Sequence, residues 1–154
     1  MAITRTFSKS WGAAGCRVGY LLGKEPCISE AKKVRLTYPV SNVSIKFVSF
    51  LMDNPTLKSI YVQETVLARD KFCLMLKDNF EVINSASNSI HFHEKKGDNE
   101  RAARILSSHG IAFKGGGMVT GTPVRIPGDN RETWIRLAVG PKIDQMPFAT
   151  ELCM

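Results

Sequence analysis

The spacing of apolar residues changes period along the chain. Val18 to Gly23, VGYLLG, is an apolar run between turn residues and predicts a short buried strand. Helical spacing follows it. SEAKKVRLT begins at Ser29, a hydroxyl suited to capping, and Pro39 ends the pattern. Ser41 is placed to cap NVSIKFVSFLMDN, which sets Val43, Phe47, Phe50 and Leu51 on one face before Asn54 and Pro55 interrupt it. A third, longer helix is expected from Pro55 to near Lys77. Its apolar stripe is Leu57, Ile60, Tyr61, Leu67, Ala68, Phe72, Met75 and Leu76.

From Phe80 the period shortens to two. FEVI and SNSIHFHE predict strands, the second with Ile90 and Phe92 on one side and His91 and His93 on the other. Asp98 caps the helical NERAARILSSH, and Gly110 supplies its left-handed stop. GIAFK predicts another strand, the glycine-rich GGGMVTGTPVRIPGDN a loop or irregular hairpin, and TWIRLAVG a last strand. Pro147 argues against a long helix in the tail. A change of composition near Asp53 to Thr56 divides the chain into residues 1–54 and 55–154. The second part reads as α+β, a few strands with helices against one face. The first part is harder to close, because VGYLLG needs neighbouring strands that few nearby residues provide, which implies further sequence.

Composition adds limits. With 154 residues, 44% apolar and 23% charged, the chain has the make-up of a folded domain with a real core. No apolar stretch reaches the twenty or so residues of a membrane-spanning helix, and MAITRTFSKS has no signal-peptide apolar segment. No membrane partner is therefore expected. Cys16, Cys27, Cys73 and Cys153 are scattered without CxxC pairs or close histidines, which suits a reducing cytoplasm and indicates neither zinc nor a disulfide framework. His91 and His93 share a strand face but lack a third ligand, so an exposed face is expected there and no metal. The net charge of +7 is compatible with a nucleic acid, a membrane surface, or small anions such as phosphate and carboxylate. Lys24, Lys32, Lys33 and Arg35 form the densest basic cluster. Interspersed Glu25 and Glu30 and the lack of aromatics make it a solvated helix face rather than a nucleic-acid site.

The chemistry concentrates in TRTFSKSWGAAGCRVGYLLG. Lys9 lies between Ser8 and Ser10 and would ordinarily be a solvated turn residue. Its neighbours change that reading: Thr6 and Ser8 offer hydroxyls and Arg17 a planar fork, a set suited to one phosphate group. The spelling excludes a GxxxxGK[ST] phosphate loop. A lysine that forms an imine needs an anchored carbonyl, and a phosphorylated aldehyde cofactor, pyridoxal phosphate, meets that need. Arg136, in the middle of TWIRLAV with Ile135 and Leu137 facing the other way, would ordinarily be an exposed ladder charge.

RTFSKSWGAAGCRVGY resembles the cofactor-lysine signature of the fold type I pyridoxal-phosphate aminotransferases, above all the histidinol-phosphate aminotransferase branch, and keeps its Lys-to-Arg spacing of eight. Ala13 stands where leucine is usual. The resemblance continues through the mid-helix Arg69, the S-x-x-N of Ser85 to Asn88, LSSHGIAFK and WIRLAVG, so it covers nearly the whole chain. It implies an α/β protein: residues 1–54 as a remnant of the large cofactor-binding domain and residues 55–154 as the small α+β domain. It implies Lys9 as the imine-forming residue and proton shuttle, Thr6, Ser8 and Arg17 as holders of the cofactor phosphate, and Arg136 as the grip on the substrate carboxylate. Lys114 takes a substrate position where arginine is common, and a point charge there leaves the substrate open. Amino-acid and 2-oxo-acid substrates are implied, with a homodimer for the full-length family. The family's ring-stacking aromatic and the acid that pairs with the pyridine nitrogen are not identifiable, so little transaminase activity is expected of this polypeptide alone. Two alternatives stay open: a decarboxylase of a phosphorylated amino acid, and an inert basic domain that binds nucleic acid.

Overall fold

A computed structural model describes residues 1–37, 39–83, 85–115, 124, 126, 128–131 and 133–154. The chain divides into two compact units, Met1–Gln63 and Glu64–Met154, with the boundary inside a helix.

The first unit opens with a hairpin. Strand β1 (Ala2–Thr6) pairs antiparallel with β2 (Gly19–Gly23), in register from Ala2 opposite Gly23 to Thr6 opposite Gly19. VGYLLG therefore finds its neighbour in the opening residues, which were too short and too polar to signal a strand. The expectation that it is buried fails: every residue of β2 except the half-buried Leu21 is exposed. Gly19 allows close backbone approach, since a Cβ there would lie 2.7 Å from the carbonyl oxygen of Arg5. Helix α1 (Glu25–Lys33) starts before Ser29, because Pro26 fits the first turn and presets its φ. Helix α2 (Asn42–Asp53) starts as expected, with Ser41 Oγ accepting the Ser44 amide at 3.1 Å. Its buried residues are Val48 and Leu51, packed with Phe7 and Ala13. Val43, Phe47 and Phe50 are exposed. So small a core takes only one i, i+3 pair from the helix, and the expected stripe is rotated off it.

Helix α3 (Pro55–Leu76) matches its expected span. From Thr65 onward it buries Ala68, Phe72, Cys73 and Leu76, whereas Leu67 is exposed. The second unit builds a four-stranded antiparallel sheet in the order β3 (Phe80–Ile83), β4 (Ser89–Glu94), β6 (Ile135–Ala138), β5 (Lys114–Gly115). Ile90, Phe92, Ile135 and Leu137 point from one face into a core shared with α3, α4 (Glu100–Ser108) and α5 (Pro147–Cys153). Aromatic edges tie the layers: Phe80 meets Phe92 at 5.2 Å and 88°, and Phe72 meets Phe148 at 6.1 Å and 89°.

Local chemistry explains the differences from expectation. GIAFK pairs only at Lys114–Gly115; before that, the Ile111 amide donates to the Leu106 carbonyl, and Ile111 and Phe113 pack on the core instead of on a strand. Gly110 does end α4 at φ +67°. The residue that caps α4 is Asn99, at φ 70°, with Asp98 Oδ1 accepting the Glu100 amide at 3.2 Å. Pro147 opens α5 instead of limiting it, since proline suits a first turn. Most of the glycine-rich segment from Gly115 to Asn130 lies outside the described residues.

Candidate functional site

In the first unit the candidate residues sit where the hairpin closes. Beyond the Thr6–Gly19 pair, the Phe7 amide donates to the Val18 carbonyl at 3.2 Å and the Ala13 amide to the Phe7 carbonyl at 3.0 Å. Buried Phe7 anchors this closure, and Thr6 and Ser8 flank it. Thr6 Oγ1 donates to Ser8 Oγ at 2.9 Å and accepts the Ser8 amide at 3.1 Å, so the two hydroxyls are brought together. Arg17 precedes Val18 and sits at φ 52°, a left-handed backbone that costs a residue with a Cβ about 1–2 kcal/mol. Its Nη1 donates to the Ala14 carbonyl at 3.3 Å, which leaves most of the fork open. Lys9 is exposed, its carbonyl accepts the Gly12 amide at 2.9 Å, and its ammonium has no partner among the described residues. Two hydroxyls, a guanidinium and an amine therefore leave one closed loop, a donor set with the right chemistry for a phosphate and an aldehyde. Trp11, under Lys58 at 5.1 Å, and Gly12 at φ +64° against the Tyr61 ring shape the same loop.

In the second unit the sheet face opposite the core carries the other candidates. Arg136 of β6 is the register partner of Lys114 on β5 and of His91 on β4, so the three side chains share one row with Arg136 in the middle. Arg136 and Lys114 are exposed and His91 is half-buried; none has an ion pair or hydrogen bond among the described residues. Burial, and then the nearby Arg136 charge, hold the His91 imidazole below the ordinary histidine range, so it is biased toward the neutral form.

One row along the same face lies a network that sequence reasoning missed. Arg131 Nε donates to both Asp129 oxygens at 3.0 Å, and its Nη2 to Asp129 at 2.6 Å and Glu81 at 2.7 Å. Its guanidinium lies 5.0 Å from the Trp134 ring centre, and Trp134 Nε1 donates to Asp129 at 3.1 Å. Hydrogen bonds from Arg131 hold the Asp129 carboxyl far below the usual range and lower Glu81 as well. The Asp-x-Arg spelling of GDNRETW was the available signal.

His93 corrects the expectation of an exposed histidine pair. It is buried, with Nε2 2.8 Å from Thr133 Oγ1, Nδ1 2.7 Å from the Glu94 carbonyl and its ring 5.5 Å from Trp134. Among the described residues no cluster of three His, Cys, Asp or Glu could hold a metal. Arg69 donates to Asp70 at 2.8 Å and to the Ser87 carbonyl at 3.2 Å, which ties α3 to the loop before β4. In the basic cluster, Lys33 is paired with Glu30 at 2.6 Å.

Comparison with known proteins identifies the family. The family described as aminotransferase class I and II matches residues 1–149. A histidinol-phosphate aminotransferase of Leuconostoc citreum is 30% identical over 146 residues, 94% of this chain and 37% of that one. One of Thermotoga sp. is 28% identical over 115 residues, 74% of this chain and 34% of the relative. The chain thus spans about a third of the length of the curated relatives it matches. Among solved structures, histidinol-phosphate aminotransferase from Sinorhizobium meliloti in complex with pyridoxal-5'-phosphate superposes with TM-score 0.68 at 25% identity, over 99% of this chain and 38% of that one. L-threonine-O-3-phosphate decarboxylase from Porphyromonas gingivalis, at TM-score 0.66 and 18% identity over 99% of this chain and 46% of that one, shares the fold. By the match over nearly its whole length, the chain belongs to the class I and II aminotransferase family.

Proposed function

We propose that this chain carries the cofactor-bonding lysine of a pyridoxal-phosphate-dependent aminotransferase, with Lys9 as the reacting amine and Thr6, Ser8 and Arg17 holding the cofactor phosphate. The observation that supports it most is the loop closed at Thr6 and Gly19. It gathers two mutually bonded hydroxyls, an Arg17 fork engaged at one nitrogen only, and a Lys9 ammonium without a partner among the described residues. Arg17 keeps a strained left-handed backbone there, the kind of cost that is retained where a side chain has work to do. Pyridoxal phosphate, when bound, supplies an aldehyde and an electron-accepting ring. Lys9 would be the amine that bonds to that aldehyde, the aldehyde oxygen leaving as water, and would later hold the proton moved to and from the substrate α-carbon. The hydroxyls and Arg17 would hold the phosphate on the same loop as Lys9.

In the second unit, Arg136 is read as the group that takes the substrate α-carboxylate through two parallel hydrogen bonds. Lys114, as a point charge beside it, attracts a further phosphate or carboxylate. The reaction is the transfer of an amino group between an amino-acid or amino-phosphate donor and a 2-oxo acid, in a cytoplasmic enzyme of a family whose full-length members are homodimers. The residues that stack on the cofactor ring and pair with its nitrogen are not among those assigned, so this polypeptide alone is expected to turn over little donor.

Titration of pyridoxal phosphate into the chain, followed by borohydride reduction and peptide mapping, tests the reading. A visible absorbance band and a reduced adduct at Lys9, both lost in Lys9→Ala, are expected. An adduct spread evenly over surface lysines, or a band that survives Lys9→Ala, would overturn it. Release of carbon dioxide from an amino-acid donor would point to a decarboxylase instead.

A further inference from the structure

We propose that His91 is a third, protonation-dependent member of the anion-holding row formed by Arg136 and Lys114, so that this sheet face binds a doubly charged anion more tightly as pH falls. The inference rests on the reading of Arg136 as a carboxylate or phosphate holder and adds to it a residue and a pH dependence.

Three observations carry it. Register comes first: His91 and Lys114 are the partners of Arg136 on its two sides, and side chains so paired stand about 5 Å apart at their Cβ atoms on one face. The second is the lack of compensation. Like charges set directly opposite one another are unfavourable, yet among the described residues neither Arg136 nor Lys114 has an acidic partner.

Third, the acids that could have quenched the row are already engaged. Among the described residues, few groups face His91. On β3 its partner is Ile83, and the diagonal Glu81 gives its carboxylate to Arg131 at 2.7 Å. On its own strand the same face carries Ser89 and His93, the latter occupied by Thr133 and the Glu94 carbonyl. On β6 it meets Arg136, and beyond that lies Lys114 on β5. Asp129 is clamped by Arg131. Among the described residues, the face therefore sets a neutralised acidic network beside a cationic row without acidic partners.

The direction of the pH effect follows from linkage. In the free protein, burial and Arg136 disfavour the His91 imidazolium. A dianion seated on the row favours it, so binding takes up a proton, and protonation must strengthen binding by the same factor.

The test uses the full chain and sulfate, which keeps its charge across the range. With 3 histidines in the sequence, ring carbon–proton NMR signals of His91, His93 and His109 can be followed separately. Sulfate should raise the His91 midpoint, and its affinity should be about three- to tenfold higher near pH 5.5 than near pH 7.5. His91→Gln should keep the binding of the higher pH and lose the increase. Arg136→Gln and Lys114→Gln should each weaken binding at both pH values. If sulfate binding depends on Arg136 while the His91 midpoint stays put, the role given to His91 is wrong and the reading of Arg136 survives. If sulfate binds equally well to Arg136→Gln, both fall. Unchanged His93 signals in each variant would show that the sheet is intact.

Discussion

Arg136 faces Lys114 across the β5–β6 ladder, two cations in direct register on the open side of the second unit's sheet. A pair like this costs stability in the free protein and repays it only when an anion is present. The same sheet also carries charges that are paired. One row away, Arg131 answers both Asp129 and Glu81. Among the described residues, a satisfied network and a row without acidic partners therefore lie on one face, the contrast on which the proposed binding surface rests.

Reversing one charge tests that contrast. Lys114→Glu places a carboxylate opposite Arg136 and should stabilise the second unit by about 0.2–1 kcal/mol, as opposite-charge pairs across strands do. It should also abolish sulfate binding, since the new carboxylate occupies the guanidinium. Urea unfolding and sulfate titration of the one variant check both halves. A variant that is less stable than the parent would show that Arg136 is already neutralised in solution.

The His91 imidazole gives a pH dependence of stability whose sign can be worked out. Its folded-state midpoint lies below the ordinary 6.5. Between those two values the unfolded chain binds the proton and the folded one does not, so stability is full above the ordinary value and falls as pH drops through it toward the depressed one. Urea midpoints measured from about pH 7.5 to about pH 5 should therefore fall more for the parent than for His91→Gln, because the variant removes this one titration. Added sulfate should shrink the difference. Equal pH profiles for parent and variant would contradict the depressed midpoint.

Much of this was legible from residue order, and the misses have physical causes. The strands FEVI, SNSIHFHE and IRLA alternate or run apolar within the second unit, whose core is large enough to enforce the pattern, and they form where expected. Among the described residues, the buried core of the first unit is Phe7, Ala13, Val48 and Leu51, too small to organise the Val43, Phe47 and Phe50 stripe of α2. β1 was missed because AITRT has one large apolar residue, and its strand comes from pairing with β2 rather than from burial. The Lys9 segment was read from residue types and spacing, which need no tertiary context. The register of His91, Lys114 and Arg136 could not be read that way. It depends on the sheet order β3-β4-β6-β5, which places β5 beside β6 and not beside β4.

Asn99 is a fully buried amide that holds the entry to α4. Its Oδ1 accepts the Glu94 amide at 2.7 Å, its Nδ2 donates to the Thr133 carbonyl, and its backbone sits at φ 70°. Asn99→Ala strands a buried donor and a buried acceptor and adds a Cβ in the left-handed region without the local help that asparagine has. A loss of about 3 kcal/mol is expected in urea unfolding. Asn99→Gly, which removes the bonds and relieves the backbone, should lose roughly 1 kcal/mol less. If the two variants are equally unstable, the positive φ carries no cost at this position.

If Arg17 holds the cofactor phosphate as proposed, it sets backbone stability against cofactor binding in the first unit. Its φ of 52° costs a residue with a Cβ about 1–2 kcal/mol, whereas glycine accepts that backbone freely and gives back about 0.5–1 kcal/mol through the flexibility of its unfolded chain. Arg17→Gly should therefore leave the hairpin as stable as the parent or up to about 1 kcal/mol more stable. Slower hydrogen exchange at the amides of Phe7 and Ala13, which close the loop through Val18 and Phe7, would report it. The same change removes the fork from the proposed phosphate site. Hydrogen bonds to a charged group are worth about 1.5–3 kcal/mol, so pyridoxal phosphate should bind about tenfold to a hundredfold more weakly, read from the visible band of the Lys9 adduct. Arg17→Ala should weaken cofactor binding as much and keep the backbone cost, which separates the two effects. A glycine variant that is no less stable and binds cofactor as well as the parent would show that the fork takes no part in the site. The strained backbone at position 17 would then have another cause.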